Sequence, residues 1–179
     1  MDNDTLEYTK ASLQHKKDYC DEYIITKDGK KLGYMTFDKS ANLGHMYDVA
    51  GFRDGVMPRI ATLRSLEGDK YSGIGTQFVK EAVERSFQEG YDGLVCLNAI
   101  KNFASSDSDY RCTDSPIPFY YRLGFRSPSP EINRSIEIAL KLKIPEMLPN
   151  ETFMVLTPQN IYKFDDYYNS KFPPKKDEK

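Results

Sequence analysis

Residues 60–97 constrain the fold more than any other stretch. Ile60-Ala61-Thr62-Leu63-Arg64-Ser65-Leu66 is a β-rich run, and a glycine-bearing turn, Lys70-Tyr71-Ser72-Gly73-Ile74-Gly75, follows it. Apolar residues then recur at Ile74, Phe78, Val79, Ala82, Val83 and Phe87. That i, i+4, i+5 spacing predicts an amphipathic helix, with Gly90 as its stop. Leu94-Val95-Cys96-Leu97, bounded by Asp92-Gly93 and Asn98, is the short continuous apolar run expected of a strand buried on both faces. Strand, helix and strand in this order form a crossover unit, which implies parallel neighbours and an α/β chain.

The flanking segments add antiparallel strands. Tyr23-Ile24-Ile25-Thr26 and Leu32-Gly33-Tyr34-Met35-Thr36-Phe37 flank Lys27-Asp28-Gly29-Lys30, and Asp-Gly between two such runs predicts a hairpin. Residues 38–58 are punctuated by Gly44, Gly51, Gly55 and Pro58 and read as a long connection, with room for a short strand at 45–49. Ser115 as N-cap, Pro116 at the first helical position and Gly124 just beyond the end predict a short helix over 116–123. Residues 132–142 between Pro130 and Pro145 predict a further helix, and Thr152-Phe153-Met154-Val155-Leu156 a last strand. Residues 1–20 suit either a short helix or an attached arm, and the tail from 161 to 179 reads as polar.

Composition narrows the function classes. Of 179 residues, 39% are hydrophobic and 29% charged, with a net charge of -2, so the chain is in the globular range and carries no basic surplus for nucleic acid. Cys20, Cys96 and Cys112 are odd in number and lack metal-ligand spacing, which predicts neither a disulfide framework nor a zinc site. The acidic start and the absence of a long apolar run predict neither a signal peptide nor a membrane span, hence a cytoplasmic protein.

The glycine turn carries the chemistry. Gly73 and Gly75 remove side chains where backbone N–H groups at a helix start could meet an anion, Ser72 and Thr76 add hydroxyls, and Lys70 adds a positive charge. A tight turn without a ligand accounts for the same glycines equally well. The turn lacks the Gly-Lys-Ser/Thr of a triphosphate loop and the three-glycine dinucleotide fingerprint.

Lys70-x-x-Gly73-x-Gly75 resembles the (Arg/Gln)-x-x-Gly-x-(Gly/Ala) loop of the GNAT acetyltransferases, with Lys70 in place of Arg or Gln. Leu97-Asn98-Ala99, followed by Ile117-Pro118-Phe119-Tyr120-Tyr121-Arg122-Leu123-Gly124-Phe125, is similar to that family's second signature, with a longer polar insert at 102–115 between the two halves. The resemblance covers about residues 23–156. It implies a mixed, mostly antiparallel sheet with helices on both faces and a splayed parallel pair formed by 60–66 and 94–98. It also implies a GNAT domain over 21–160 with a helical insert at 130–144.

The resemblance further implies acetyl-coenzyme A as cofactor. The pyrophosphate would lie on Lys70, Tyr71, Ser72, Gly73, Ile74, Gly75 and Thr76, and the pantetheine arm along Leu63, Ser65, Leu66 and Asn98. Tyr120 would protonate the departing thiolate, for which a phenol of ordinary pKa about 10 is a suitable acid. A core aromatic is the competing reading of Tyr120, and core packing is the reading of Phe119, Leu123 and Phe125. Arg59 stands where some relatives carry a strand-borne Glu. Asp48, Asp54 and Glu67 remain as acids near the expected cleft, none of them assigned as base, and His15 and His45 are isolated.

The expected activity is acetyl transfer to a primary amine, on a peptide or on a small cationic molecule, with Asp107, Asp109 and Asp114 as an acidic rim. No metal, nucleic acid or membrane is implied, and a homodimer is admitted. The alternatives are a weakly catalytic coenzyme A-binding or protein-interaction module, and a nucleotide-binding β-α-β unit.

Overall fold

A computed structural model of the chain describes residues 7–12, 20–43, 55–66, 73–101 and 115–174. The chain falls into two compact units, Met1–Val95 and Cys96–Lys179.

The first unit is organised by the Asp-Gly hairpin. Strands β2 (Cys20–Lys27) and β3 (Lys30–Asn42) run antiparallel on either side of it. Asp28 and Gly29 take φ of 51° and 75°, the two positive values a type I′ turn requires. Thr26 faces Lys31 but Ile25 faces Gly33, so Leu32 is an extra residue in β3. That bulge sets which face of β3 points inward: Leu32, Met35 and Phe37 are almost completely buried, as are Tyr23 and Ile25 on β2. β4 (Val56–Ser65) pairs antiparallel on the other side of β3. Residues 7–12, undecided from sequence, form strand β1 (Glu7–Ser12), antiparallel to β2.

Helix α1 (Ile74–Gln88) buries Ile74, Phe78, Val79, Ala82 and Val83, the spacing read from the sequence. Burying each of its larger apolar side chains is worth about 1.5–3 kcal/mol. Phe87 departs from the expectation: it is exposed, and Ser86 faces inward. Ser86 Oγ donates to Leu94 O at 2.6 Å, which ties the helix to the segment that follows it. Gly90, φ 83°, closes the helix, with Tyr91 N–H donating to Ser86 O and Gly90 N–H to Phe87 O. Buried Asp21 joins β2 to α1: its Oδ2 accepts from Tyr23 OH at 3.3 Å and lies 3.7 Å from Arg85 Nε.

The second unit contains strand β5 (Val95–Ile100) apart from its first residue, helices α2 (Ile117–Arg122) and α3 (Pro130–Leu142), strand β6 (Glu151–Leu156) and helix α4 (Ile161–Lys171). β5 and β6 are neighbours. Lys101 N–H, at the end of β5, donates to Asn150 O just before β6 begins, so the two run antiparallel. Ser129 caps α3 by accepting from Ile132 N–H, with Pro130 at the first position.

Residues 161–171, read from sequence as a polar tail, are helical as α4. Phe164, Tyr168 and Phe172 recur every four residues, a helical stripe rather than an alternation, and their rings lie 5.9 and 5.0 Å apart in sequence order. Phe164 is fully buried. The order of elements is that of a mixed α/β chain with its antiparallel strands first.

Candidate functional site

Within the first unit, the end of β4 and the start of α1 converge on Gly33. A β-carbon at position 33 would lie 2.6 Å from Arg64 O and 2.9 Å from Ile74 Cγ2. Only a residue without a side chain admits strand and helix this close. Gly33 was read from sequence merely as a strand residue; a glycine inside an otherwise β-branched and aromatic run was the signal of a close approach.

Ser65 stands directly opposite Gly33, and Leu63 opposite Met35. Ser65 and Leu63 therefore share the sheet face that carries Met35, because residues directly across an antiparallel pair point the same way. Ser65 Oγ is buried and has no hydrogen-bond partner among the described residues. An unpaired buried hydroxyl costs about 1–3 kcal/mol, which an arriving polar group can offset. Leu66, the next residue, is exposed, and its N–H donates to Leu32 O at 2.8 Å.

Gly73 precedes α1 in the left-handed region, φ 92°. The first intrahelical bond runs from Gln77 N–H to Gly73 O at 2.9 Å, so the N–H groups of Ile74, Gly75 and Thr76 have no acceptor within the helix. Among the described residues no side chain caps them, and no acid lies in the first turn of the helix. The dipole of a 15-residue helix thus ends in three N–H donors with no negative side chain on that turn. Ile74 and Thr76 are buried and Gly75 half-buried, so at the helix start Thr76 contributes its backbone N–H. Lys70, Tyr71 and Ser72 lie outside the described residues, as do Asp48, Asp54, Glu67, His15, His45 and the insert with Asp107, Asp109 and Asp114.

Arg59 is described, and its guanidinium is 3.8 Å from Asp38 Oδ2, the residue facing it across β3 and β4. The strand position that could have carried a base therefore holds a cation engaged with its cross-strand neighbour.

In the second unit, Asn98 lies on the exposed side of β5 between buried Leu97 and Ala99. Tyr120 lies on α2 and is 7% exposed. Its ring meets Phe119 and Phe125 edge to face, with centroids 5.0 and 5.6 Å away. Leu123 and Phe125 are fully buried, as their reading as core residues requires, while Phe119 is half-buried. Burial pushes the Tyr120 phenol well above 10, and it has no hydrogen bond among the described residues. The phenol therefore stays protonated at neutral pH.

The backbone around Tyr120 is closely specified. Helical geometry begins at Pro116, and Ser115 Oγ accepts from Ile117 N–H at 3.3 Å, so Ser115 caps the helix by its side chain as the sequence predicts. At the other end Phe125 N–H donates to Tyr120 O and Gly124 N–H to Tyr121 O, with Gly124 at φ 98°. This pair of bonds over a left-handed glycine is a Schellman ending, and the Tyr120–Phe125 ring contact is its apolar clasp.

Among the described residues no group of histidine, cysteine or carboxylate side chains could hold a metal ion, and no helix is long and apolar enough to cross a membrane.

Neither a protein-family model nor a curated protein matches the sequence. Solved structures do resemble the fold. A bacterial toxin is 17% identical with a TM-score of 0.49, covering 83% of this chain and 73% of its own. A GNAT family acetyltransferase from Elizabethkingia anophelis with acetyl-CoA bound is 10% identical with a TM-score of 0.48, covering 86% of this chain and 99% of its own. A putative streptothricin acetyltransferase from Bacillus anthracis in complex with acetyl coenzyme A is 13% identical with a TM-score of 0.45; this chain spans 65% of its length.

Proposed function

We propose that the chain is a GNAT-type N-acetyltransferase that moves an acetyl group from acetyl-coenzyme A to a primary amine. The observation that carries the reading is the start of α1: three N–H groups behind left-handed Gly73, with no cap among the described residues and no acid in the first helical turn, at the position of the family's glycine loop. Such an end favours a phosphate-bearing ligand. The buried, unpaired Ser65 Oγ at the end of the preceding strand offers a partner to a polar pantetheine group. Both features fit the cofactor that the motif implies.

In this reading the N–H groups of Ile74, Gly75 and Thr76 hold the pyrophosphate, together with Lys70, Tyr71 and Ser72. Leu63, Ser65, Leu66 and Asn98 hold the pantetheine arm. The bound thioester supplies an activated acetyl carbonyl to the amine nitrogen. As the carbon–sulfur bond breaks, Tyr120 passes its phenolic proton to the sulfur and regains one from solvent; the proton shed by the amine leaves to water. No side chain is assigned as base, since Arg59 is a cation beside Asp38. The acceptor is a primary amine on a peptide or a small cationic molecule, which the acidic insert residues Asp107, Asp109 and Asp114 would attract.

Thermal shift tests the cofactor: acetyl-coenzyme A and desulfo-coenzyme A raise the melting temperature, whereas ATP and NAD do not. Stabilisation by the nucleotides alone would instead mark a nucleotide-binding β-α-β unit. Release of free coenzyme A, corrected for hydrolysis, tests the chemistry. Tyr120→Phe lowers it by ~10²-fold if the phenol is the acid, and an unchanged rate removes that role. The engaged Arg59 favours a second reading, a module that binds coenzyme A without turning it over. In that case acetyl-coenzyme A stabilises the protein and no amine in a broad panel accelerates coenzyme A release.

A further inference from the structure

α2 has only six residues, Ile117–Arg122, and a helix this short has little cohesion of its own. Its position depends on what holds its ends, and at the C-terminal end Arg126 adds a side-chain hold to the backbone bonds of Gly124 and Phe125. One guanidinium nitrogen, Nη1, donates to Tyr121 O at 2.8 Å and to Phe125 O at 2.7 Å. The guanidinium plane lies on the Tyr121 ring, 3.5 Å from its centroid. The Tyr121 hydroxyl in turn donates to Glu137 Oε1 on α3.

Arg126 is itself anchored. Its N–H donates to Val155 O at 2.9 Å and its carbonyl accepts from Val155 N–H at 2.8 Å, a two-bond bridge to β6. Just beyond, Asn133 closes the link to α3: its Oδ1 accepts from Ser127 N–H and its Nδ2 donates to Ser127 O, both at 2.8 Å. The turn after α2 is thus referenced to a strand and to a second helix. The Tyr120 phenol has no such polar anchor among the described residues, so its place follows from its backbone and from the rings of Phe119 and Phe125. The two carbonyls held by Arg126 belong to Tyr121, next to Tyr120 in the chain, and to Phe125, whose ring packs on Tyr120.

We propose that Arg126 is a positioning residue for Tyr120. By gripping the Tyr121 and Phe125 carbonyls while stacked on the Tyr121 ring, it fixes the last turn of α2 and so aims the phenol. The inference rests on the reading of Tyr120 as proton donor. Lysine cannot substitute, because an ammonium group is a point charge that offers no plane to stack on the ring.

The experiment has one arm on the free protein and one on turnover. With tyrosine labelled by ¹³C at Cζ, NMR follows the ionisation of each phenol, and the Tyr120 signal is identified by its loss in Tyr120→Phe. Arg126→Met keeps the apolar stem and removes the grip, and the Tyr120 titration moves down toward 10 as water reaches the loosened helix end. With acetyl-coenzyme A and spermidine as substrates, Arg126→Met lowers kcat by about 10-fold, the scale of a small misplacement of a reacting group, and leaves KM for acetyl-coenzyme A within about 2-fold. Arg126→Lys recovers less than half of the loss. In the Tyr120→Phe background Arg126→Met lowers kcat no further.

An unchanged Tyr120 titration in Arg126→Met, or losses that multiply in the double variant, overturns the proposal. Where Arg126→Met does not fold, Tyr121→Leu, which removes the ring on which the guanidinium stacks and keeps the main-chain carbonyl, carries the same two measurements with a smaller expected loss. If Tyr120→Phe alone leaves turnover unchanged, the reading of Tyr120 as acid fails, and the titration arm still decides whether Arg126 fixes the phenol.

Discussion

Gly33 and Arg64, offset by one residue across β3 and β4, lie so close that a β-carbon on Gly33 would sit 2.6 Å from the Arg64 carbonyl oxygen. Backbone atoms cannot swing aside as a side-chain tip can, and Ile74 and Phe78 of α1 close the same space at 2.9 and 3.1 Å. Gly33→Ala should therefore destabilise the protein by about 1–3 kcal/mol, the usual cost of overpacking. Denaturant unfolding checks this; a midpoint within error of the parent would show that the strand and helix yield.

Gly124 is a second position at which a single methyl group matters. Its φ of 98° is one that residues with a side chain rarely adopt, and an added β-carbon would meet Asn160 O at 3.0 Å and Lys163 Cβ at 3.1 Å. Gly124→Ala should cost about 1–3 kcal/mol in unfolding free energy from the backbone alone. It should also reduce turnover more than it weakens coenzyme A binding, because it opens the helix ending that carries Tyr120. A loss confined to binding would contradict that placement.

The acid-free first turn of α1 makes a paired prediction. Gly75→Asp puts a negative charge where an anionic ligand is expected, yet an acid in a first helical turn is itself favourable by about 0.3–1 kcal/mol. The variant should keep the melting temperature of the parent without ligand and lose the rise produced by coenzyme A. For an unaltered site that rise corresponds to about 2.7 kcal/mol at a hundredfold excess over Kd. A full coenzyme A response in Gly75→Asp would remove the pyrophosphate from this helix start.

Alkaline pH should lower the stability of the protein through its buried phenols. Burial, with Asp21 and Glu81 nearby, pushes Tyr23 above its ordinary value of 10, and burial alone does the same to Tyr120. For Tyr121, burial and the Glu137 bond raise it to about 12 against the opposing Arg126. A phenol whose pKa is raised on folding holds its proton more tightly in the folded chain. Its contribution is therefore complete below 10 and falls as pH rises from 10 through the folded pKa. Unfolding free energy should be flat with respect to these groups at neutral pH and decline above pH 10. Tyr23→Phe should reduce that decline, as urea unfolding at pH 9, 10 and 11 would measure; an identical slope would show that Tyr23 plays no part in it.

Much of the secondary structure was legible because it is written in local patterns. Asp28-Gly29 predicted the hairpin, since two consecutive positive φ angles suit few other residue pairs. Ser115, Pro116 and Gly124 marked both ends of α2, and the spacing from Ile74 to Val83 marked the inward face of α1. Phe87 was misread because apolarity suggested an inward position, while the bond from Ser86 to Leu94 rotates Ser86 in. The tail reads as polar because charged residues crowd it, although the four-residue spacing of Phe164, Tyr168 and Phe172 is helical.

What the sequence determined by itself was the succession of elements from β2 to β6 and the chemical character of the glycine loop and the Tyr120 helix, because turn residues, caps and periodicity act over a few positions. Three things waited on tertiary structure. Leu32 became a bulge only when β2 and β3 were set in register. Gly33 became indispensable only when the end of β4 and the start of α1 closed on it. Arg126, an ordinary polar residue after a helix, became a clamp only when β6 and α3 stood beside it. Each depends on strands or helices being set side by side in a particular register, and no local pattern encodes that.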